Sequence, residues 1–229
     1  MEKLKVLYED NHIIVVEKPP NIPSQADKTE DTDMINIIKG YLKEKYEKPG
    51  NVYLGLVHRL DRPVGGVMVF AKTSKAAGRL SEQVRNKIFK KEYLAIVDGK
   101  LEEKKGTLEN YLLKNEKNNM SKVVPESTKN SKYAKLDYEV IKYNKEIGLS
   151  LLKIYLHTGR HHQIRVQLSN IGHGICGDQK YGTRGRGKQI SLWAYKLSIE
   201  HPITKETMTF VDLPENIGPW VILKDTKVM

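Results

Sequence analysis

Short apolar stretches separated by turn residues run along most of the chain, and their spacing predicts its secondary structure. The segment 4–20 has two β-branched runs around Asp10 and Asn11, which predicts a β-hairpin. The runs 55–57 and 67–71 are apolar without alternation, a composition that suits strands buried on both faces. The first part of the chain therefore predicts a sheet whose central strands are covered on both sides.

Helical spacing of apolar residues recurs in three segments. The predicted helices carry Ile35, Ile38 and Leu42; Leu80 and Val84; and Ile164, Leu168 and Ile171. Thr32 or Asp33 is expected to cap the first helix and Thr73 or Ser74 the second, because such side chains accept hydrogen bonds from first-turn amides. Gly172 is expected to end the third helix.

Further strands are predicted around 93–97, 136–141, 149–156, 192–199 and 208–211, the last two as a closing hairpin. The segment 114–132 is rich in Lys, Asn and Ser and predicts a long loop or insertion. The order β-β-α-β-β-α-β, followed mostly by strands, predicts an α+β fold with a largely antiparallel sheet. No internal repeat or interdomain linker is visible, so residues 1–229 are interpreted as one domain, or as two lobes that share it.

The chain is strongly basic: 39 Lys and Arg against 28 Asp and Glu leave a net charge of +11. The excess is sharpest between residues 157 and 190, where the only acidic side chain is Asp178. The basic residues there are Arg160, Arg165, Lys180, Arg184, Arg186 and Lys188. Such a cluster is typical of a surface that contacts phosphates, although a well-solvated surface has the same composition.

Several classes of protein are disfavoured. No apolar run approaches the roughly 18 residues of a membrane helix, and the first residues lack a signal-peptide core. The single cysteine, Cys176, excludes an internal disulfide and suits a reducing, cytoplasmic location. The segment 182–188 has the spacing of a phosphate-binding P-loop, but Gln189 follows where Ser or Thr is needed, and a strand is predicted where a helix is needed.

Three places carry polar residues that packing alone does not explain: Asp61 between two apolar runs, Tyr93 within a strand, and the segment 158–165 at a helix start. A carboxylate at the edge of a core is costly unless it is paired, and Arg165 is a candidate partner. Asp61 is interpreted either as an ionised catalytic carboxylate or as half of a salt bridge that pins a turn. Tyr93 either packs in the core or stacks on a planar substrate.

The adjacent residues His161 and His162 suggest a metal only weakly. Neighbouring residues on a helix point about 100° apart, and no carboxylate or cysteine stands at ligand spacing beside them. We therefore predict no metal site, and we interpret His162 as a residue that makes structural hydrogen bonds.

Three motifs together resemble the RluA-type pseudouridine synthases. The stretch HRLDRPVGGVMVFAKT (58–73) is similar to the family's aspartate motif, and KKEYLAIVDG (90–99) to its tyrosine motif. The stretch HTGRHHQIRVQLSNIGHGICGDQKYG (157–182) is similar to its third motif. The opening strands and the closing HPITKETMTF (201–210) resemble the family as well, so the resemblance covers nearly the whole chain.

The resemblance implies a fold, a reaction and roles for particular residues. The fold would be the α+β pseudouridine synthase fold, with a mixed, largely antiparallel central sheet, flanking helices and a basic RNA-binding cleft. The reaction would be isomerisation of uridine to pseudouridine in structured rRNA or tRNA, without a cofactor. Asp61 would be the catalytic carboxylate and Arg165 its ion-pair partner. Tyr93 would be catalytic too, stacking on the uracil and helping to remove the C5 proton. Arg59 would fill the space left by the flipped base, and Ile164 would line the base pocket.

The resemblance also predicts how RNA is held. The RNA-binding set would be Arg160, His162, Lys180, Arg184, Arg186 and Lys188, with the segment 114–132 closing over the RNA. Gly65 departs from the family's usual serine and Gly174 from its frequent proline. Many members of the family carry an RNA-binding S4 domain before the catalytic domain, and we expect this chain to act without one. We expect a monomer. The alternatives are a non-catalytic RNA-binding or assembly protein on the same fold and, further off, a metal-dependent hydrolase that uses the histidines.

Overall fold

The computed structural model describes residues 4–26, 31–47, 49–182, 187–224, 226 and 228. In chain order its elements are β1 (Val6–Glu9), β2 (Ile13–Lys18), α1 (Met34–Lys45), β3 (Gly55–Leu56), β4 (Gly65–Ala71), α2 (Ser74–Arg85), β5 (Lys90–Asp98), β6 (Lys105–Asn115), β7 (Met120–Val124), β8 (Lys132–Asn144), β9 (Leu149–Leu156), α3 (Gln163–Asn170), β10 (Leu192–Glu200), β11 (Thr207–Val211) and a final 3₁₀ helix (Gly218–Leu223). The chain forms two compact units. Unit 1 comprises Met1–Lys90 and Ala194–Leu213, and unit 2 comprises Lys91–Trp193 and Pro214–Met229.

The sheet of unit 1 is built on the predicted hairpin. Strands β1 and β2 pair antiparallel, and β2 pairs antiparallel with β4 along its whole length, from Ile13 opposite Ala71 to Lys18 opposite Gly66. Strand β3 pairs with the end of β4, β10 lies on the other side of β4, and β11 pairs with β10 as the predicted closing hairpin. Every residue of β4 is buried, as its unbroken apolar composition predicts.

The two helices of unit 1 begin where local chemistry predicts. The Asp33 side chain accepts hydrogen bonds from the amides of Ile35 and Asn36 and so caps α1, while Thr73 caps α2 by accepting from Ala76. Both helices bury one apolar face, which in α1 comprises Met34, Ile38 and Leu42, and α2 packs against β4. The core on the α2 side contains Ile13, Val15, Val67, Val69, Ala71, Ala76, Leu80, Phe89, Leu197, Ile199 and Phe210.

Unit 2 contains a sheet in the order β5-β9-β8-β6-β7, in which each neighbouring pair is antiparallel. The prediction of a long loop over 114–132 is wrong, because strand β7 occupies Met120–Val124 and pairs with β6 as a hairpin. Polar residues dominate this hairpin because one of its faces is solvated, so its composition is similar to that of a loop. The other predicted strands are confirmed, and the fold class is α+β with a largely antiparallel sheet.

Helix α3 lies in unit 2 and is shorter than predicted, since it starts at Gln163 and ends at Asn170. Ile164 and Leu168 are buried as expected, whereas Ile171 caps the helix and is exposed. Gly172 follows with a φ of 83°, the left-handed conformation that favours glycine after a helix. Among the described residues, no helix is long and apolar enough to cross a bilayer.

Gly66 in β4 has no room for a side chain. Its φ is +122°, and a Cβ atom there would lie 2.2 Å from the carbonyl oxygen of Ala194 on the neighbouring strand. The backbones of β4 and β10 therefore approach so closely at this point that only glycine fits.

We expect Gly66→Ala to lower the free energy of unfolding by about 3 kcal/mol or more, because unfavourable backbone conformation and overpacking add. Urea unfolding measures the effect. Gly78→Ala is the control, since Gly78 lies in α2 with no atom within 4 Å of the added Cβ, and should raise stability by up to about 1 kcal/mol. If Gly66→Ala and Gly78→Ala were equally stable, the close approach of the β4 and β10 backbones at Gly66 would be contradicted.

Candidate active site

The candidate site residues of unit 1 lie in the turn of residues 58–64 between β3 and β4, which we name the aspartate turn. The amide of Val64 donates to the carbonyl of Asp61 at 2.9 Å and closes the turn. Asp61 is partly buried, and Leu60 and Val64 on either side of it are buried. The carboxylate therefore stands at the rim of the unit 1 core, as the sequence predicts.

A buried serine fixes the backbone beside Asp61. The Ser24 hydroxyl donates to the carbonyl of Leu60 at 2.9 Å and accepts from the amide of Leu60 at 3.2 Å. Ser24 is 5% exposed, so water does not compete for these bonds. One hydroxyl thus satisfies both polar groups of the residue that precedes the carboxylate, and its loss would leave them unpaired in the core.

Lys18 holds the other side of the turn and is fully buried. Its amine donates to the carbonyl of Pro19 at 2.8 Å and to that of Arg62 at 3.0 Å. Burial lowers the pKa of Lys18 to about 7, and the negative charge of Asp61 opposes this fall. The amine therefore exchanges between charged and neutral forms close to neutral pH, and in both it has protons for the two carbonyls.

The basic residues of the turn differ in their surroundings. His58 is buried, accepts from the amide of Val69 at 3.1 Å and packs against the Phe89 ring, with 5.0 Å between centroids. Arg62 donates to the carbonyl of Asn21 at 3.1 Å and forms an ion pair with Asp31. Arg59, the candidate for entering the RNA stack, is exposed.

The candidate site residues of unit 2 include Tyr93, which lies on β5. It pairs with Ile154 of β9 in the antiparallel ladder and is 6% exposed. Ile164 in the first turn of α3 is 5% exposed. Both side chains are therefore held rigidly by packing, which suits residues that orient a planar substrate.

Arg165 of α3 forms a buried ion pair with Asp178, which sequence reasoning did not name as its partner. The Nε–Oδ2 distance is 2.8 Å and the Nη2–Oδ1 distance is 2.7 Å, so the pair is bidentate. Burial alone would raise the pKa of Asp178, but hydrogen bonds from Arg165 and from the amides of Lys180 and Tyr181 bring it below its usual value. Asp178 was visible in the sequence as the sole acid in a basic stretch.

The two adjacent histidines precede α3 and do not lie within it. The prediction that their side chains point about 100° apart, as on a helix, is therefore wrong. His162 adopts a left-handed conformation with φ 53°, and its ring stacks on that of His161 at 3.7 Å between centroids. The Nδ1 atom of His162 is 2.9 Å from the Tyr181 hydroxyl, and Nδ1 of His161 is 2.9 Å from the Ser121 hydroxyl. The His161 contact ties the start of α3 to β7, and the His162 contact ties it to the segment that follows α3.

The predicted RNA-binding residues of unit 2 are mostly exposed. Arg160, Lys180 and Lys188 lie at the surface, whereas Arg184 and Arg186 fall outside the described residues. Arg160 donates through Nε to the carbonyl of Tyr133 at 2.8 Å, and Lys180 donates through Nζ to that of Asn119 at 2.8 Å. Both cations are thus oriented by backbone groups of the β6–β8 region while remaining accessible to a ligand.

The structure groups the predicted site residues by unit. Arg59 and Asp61 share the aspartate turn of unit 1, and unit 2 contains Tyr93, Ile164, Arg165 and the basic set. His162 and Arg165 both contact Tyr181, the latter with its guanidinium 5.3 Å from the ring centroid. The ion pair expected between Asp61 and Arg165 stays a prediction.

Comparison with known proteins identifies the class of protein. The family model described as RNA pseudouridylate synthase matches residues 12–170, which include the aspartate turn, β5 and α3. Because this match covers more than half of the chain, the chain belongs to that family.

Relatives extend the likeness along most of the chain. It is 34% identical over 208 residues to "Uncharacterized RNA pseudouridine synthase YhcT" of Bacillus subtilis (strain 168), covering 89% of this chain and 66% of that protein. It is 32% identical to "Ribosomal large subunit pseudouridine synthase C" of Haemophilus influenzae, covering 90% of this chain and 64% of that one. For "tRNA pseudouridine synthase C" of the same species the identity is 30%, covering 90% and 91%. The chain thus spans just under two thirds of the length of the first two.

Solved structures support the fold. "Human RNA Pseudouridylate Synthase Domain Containing 4" matches with a TM-score of 0.79 at 21% identity, over 98% of this chain and 94% of that one. "Human RNA Pseudouridylate Synthase Domain Containing 1" matches with a TM-score of 0.75 at 22% identity, over 96% and 86%. At this identity the likeness shows the fold alone.

The low pKa of Lys18 predicts a pH dependence of stability. A lysine whose pKa is lowered on folding binds fewer protons in the native than in the unfolded state, so stability rises with pH between the two pKa values. We expect the wild type to gain about 1 kcal/mol per pH unit between pH 7 and 10 from this group. Lys18→Met should lack the gain in urea unfolding, whereas Lys75→Met, at an exposed position of α2, should keep it.

Breaking the buried pair in unit 2 should be costly. Asp178→Asn leaves the Arg165 guanidinium buried beside a neutral amide, and we expect a loss of about 3–5 kcal/mol of unfolding free energy. Asp137→Asn is the matched control, since this carboxylate of unit 2 is 38% exposed, and it should cost about 1 kcal/mol or less. A similar small loss for both variants would show that the Arg165–Asp178 pair is dispensable.

Proposed function

We propose that this chain isomerises uridine to pseudouridine in structured RNA. The observation that carries the proposal is Asp61 itself, a carboxylate on a turn whose backbone is fixed by Lys18 and Ser24, within a chain of the RNA pseudouridylate synthase family. An enzyme that starts its reaction from a carboxylate needs that group held in one position, and buried hydrogen bonds of this kind supply it.

The reaction leaves the composition of the RNA unchanged. The bond between uracil N1 and ribose C1′ breaks, the uracil turns, and a bond forms between C5 and C1′ while the C5 proton is lost and N1 gains one. No oxidant, hydrolytic water or nucleotide is consumed, so we propose that no cofactor takes part.

Asp61 begins the reaction as an ionised carboxylate. It either attacks C1′ to form a covalent sugar ester or removes a proton from the sugar to give a glycal, and both routes require the same charge at the same place. We propose that Arg165, already held by Asp178, also pairs with Asp61 and keeps it ionised.

The base is bound by stacking. A uridine within a helix must be flipped out of the stack before Asp61 can reach its sugar, at a cost of a few kcal/mol. We propose that the Tyr93 ring stacks on the extruded uracil and Ile164 lines its apolar side. The exposed Arg59 enters the vacated space, where its planar guanidinium stacks on the neighbouring bases.

The basic surface binds the RNA backbone. The proposed contacts come from Arg160, His162, Lys180, Arg184, Arg186 and Lys188, supported by the net charge of +11. Similar proteins are named for large-subunit ribosomal RNA and for tRNA, and we propose a substrate from these two classes. We further propose that the chain acts as one catalytic domain, a monomer, in the cytoplasm.

Asp61→Asn tests the proposal directly. In RNA labelled with tritium at uridine C5, the wild type should release tritium in buffer with excess EDTA and no added nucleotide. Asp61→Asn should release it at least about 10³-fold more slowly, because the amide is neither a nucleophile nor a base. RNA affinity and thermal unfolding should change little.

Asp31→Asn is the matched control, because Asp31 is an exposed carboxylate of the same unit that pairs with Arg62. It should keep nearly full activity. A wild type that releases no tritium from ribosomal or transfer RNA, or an active Asp61→Asn, would refute the proposal. In that case a binding role on the same fold becomes the better explanation.

A further inference from the structure

A cavity of about 320 Å³ opens in unit 1 at the end of β4 away from the aspartate turn. Its walls come from the β1–β2 turn, the end of α1, the segment before β3 and the residues that follow β4. The residues that line it include Asn11, Tyr46, Asn51, Tyr53, Lys72 and Thr73. Seven strand residues separate this end of β4 from the turn, which is about 20 Å of extended chain. The cavity is therefore distinct from the candidate active site.

Two tyrosines that line the cavity are unusually exposed to solvent. Tyr46 is 45% exposed and Tyr53 is 49% exposed, although tyrosine rings are generally buried for much of their area. The Tyr53 hydroxyl lies so close to the backbone of Gly55 that a Cβ atom there would be 3.0 Å away. The hydroxyl end of Tyr53 is thus seated against the protein while much of the residue stays open to solvent.

Tyr46 is held by a buried carboxylate. Glu9 accepts hydrogen bonds from the hydroxyl of Tyr46 at 2.8 Å, from Lys45 at 2.7 Å and from Lys72 at 2.6 Å. Burial alone would raise the pKa of Glu9, but these bonds bring it to about 2. The carboxylate therefore stays ionised at neutral pH and keeps the tyrosine and both lysines in place.

The two tyrosine rings differ in their contacts with cations. The amine of Lys72 lies 4.8 Å from the centroid of the Tyr46 ring, and that of Lys45 lies 5.5 Å from it. The Tyr46 ring is thus already in contact with two cations, so we expect a ligand to stack on the Tyr53 ring. Two lysines against one carboxylate leave this cluster a net positive charge, which favours an anionic molecule.

The remaining polar walls match a nucleobase. Asn11 and Asn51 are exposed, and each side-chain amide has both donors and an acceptor, the combination that pairs with the edge of a base. Thr73 is fixed by its role as the cap of α2, so the wall it forms is rigid. An open aromatic ring beside amides and a lysine is the chemistry with which proteins bind single-stranded RNA.

We propose that this cavity, which we name the tyrosine pocket, binds an unpaired nucleotide of the RNA on which the chain acts. The base of that nucleotide stacks on the ring of Tyr53. The inference rests on the proposed function and deepens it, because it adds a second point of RNA contact away from Asp61. Such a contact contributes to binding before and during the reaction alike, so it should affect the affinity for RNA and leave the chemical step unchanged.

The first experiment measures binding without catalysis. The probe is a short, fluorescently labelled oligoadenylate, which contains no uridine and cannot be a substrate. Tyr53→Ala should weaken its binding to the whole chain by about 10-fold, whereas Tyr53→Trp should restore the affinity because it restores a ring. Ile203→Ala is the control, since Ile203 is an exposed apolar residue of unit 1 that does not line the pocket.

The second experiment measures turnover. In the tritium-release assay Tyr53→Ala should raise KM by a similar factor and leave kcat unchanged, the reverse of the effect of Asp61→Asn. Because Tyr53 is half exposed, we expect the variant to fold, and thermal unfolding checks this.

The outcomes are separable. Oligoadenylate affinity of Tyr53→Ala within two-fold of the wild type would overturn the pocket and leave the proposed function standing. A wild type that binds the oligonucleotide through Tyr53 but never forms pseudouridine would overturn the proposed function and leave the pocket standing.

Discussion

The buried amine of Lys18 is the group on which the geometry of the candidate site depends. It is bound to two backbone carbonyls, one of which belongs to Arg62 beside Asp61. Leaving a buried carbonyl without its hydrogen-bond partner costs a few kcal/mol of stability. Conformations of the turn that break these bonds are therefore unfavourable. Ser24 acts in the same way on Leu60 at the other side of Asp61. The carboxylate is therefore positioned through the backbone on both sides of it.

The two units secure their functional residues by different physical means. Unit 1 uses the amine of Lys18, whose pKa burial lowers to about 7. Unit 2 uses a bidentate ion pair between Arg165 and Asp178. An amine whose pKa is lowered by burial reduces the desolvation cost by giving up its proton part of the time, whereas a fully charged pair must offset that cost by good geometry. Gly177 helps to provide this geometry, because a Cβ atom there would lie 2.0 Å from the carbonyl oxygen of Gln189 and would displace the segment that carries Asp178.

Local and periodic signals made most of the fold predictable. Asp33 and Thr73 cap helices by bonds within their own first turns, and the apolar run of β4 needs no partner to be recognised. The β6–β7 hairpin was missed because a solvated strand has the composition of a loop. The buried state of Lys18 was missed because lysine is usually exposed, and only the folded chain brings the carbonyl of Arg62 to its amine. The tyrosine pocket depends on four separate segments, so no stretch of sequence indicates it.

The order of segments in unit 1 has a consequence for synthesis on the ribosome. Strand β4 is flanked on one side by β2, which precedes it, and on the other by β10, whose residues from Ala194 onward are translated only after all of β5 to α3. In a nascent chain that has not reached this point, β3 covers only the last two residues of this edge of β4. The rest of the apolar edge is open, which invites pairing with another chain. Protection of that edge during elongation, by chaperones or by rapid translation of the intervening segment, would therefore decide how much of the protein reaches its native state.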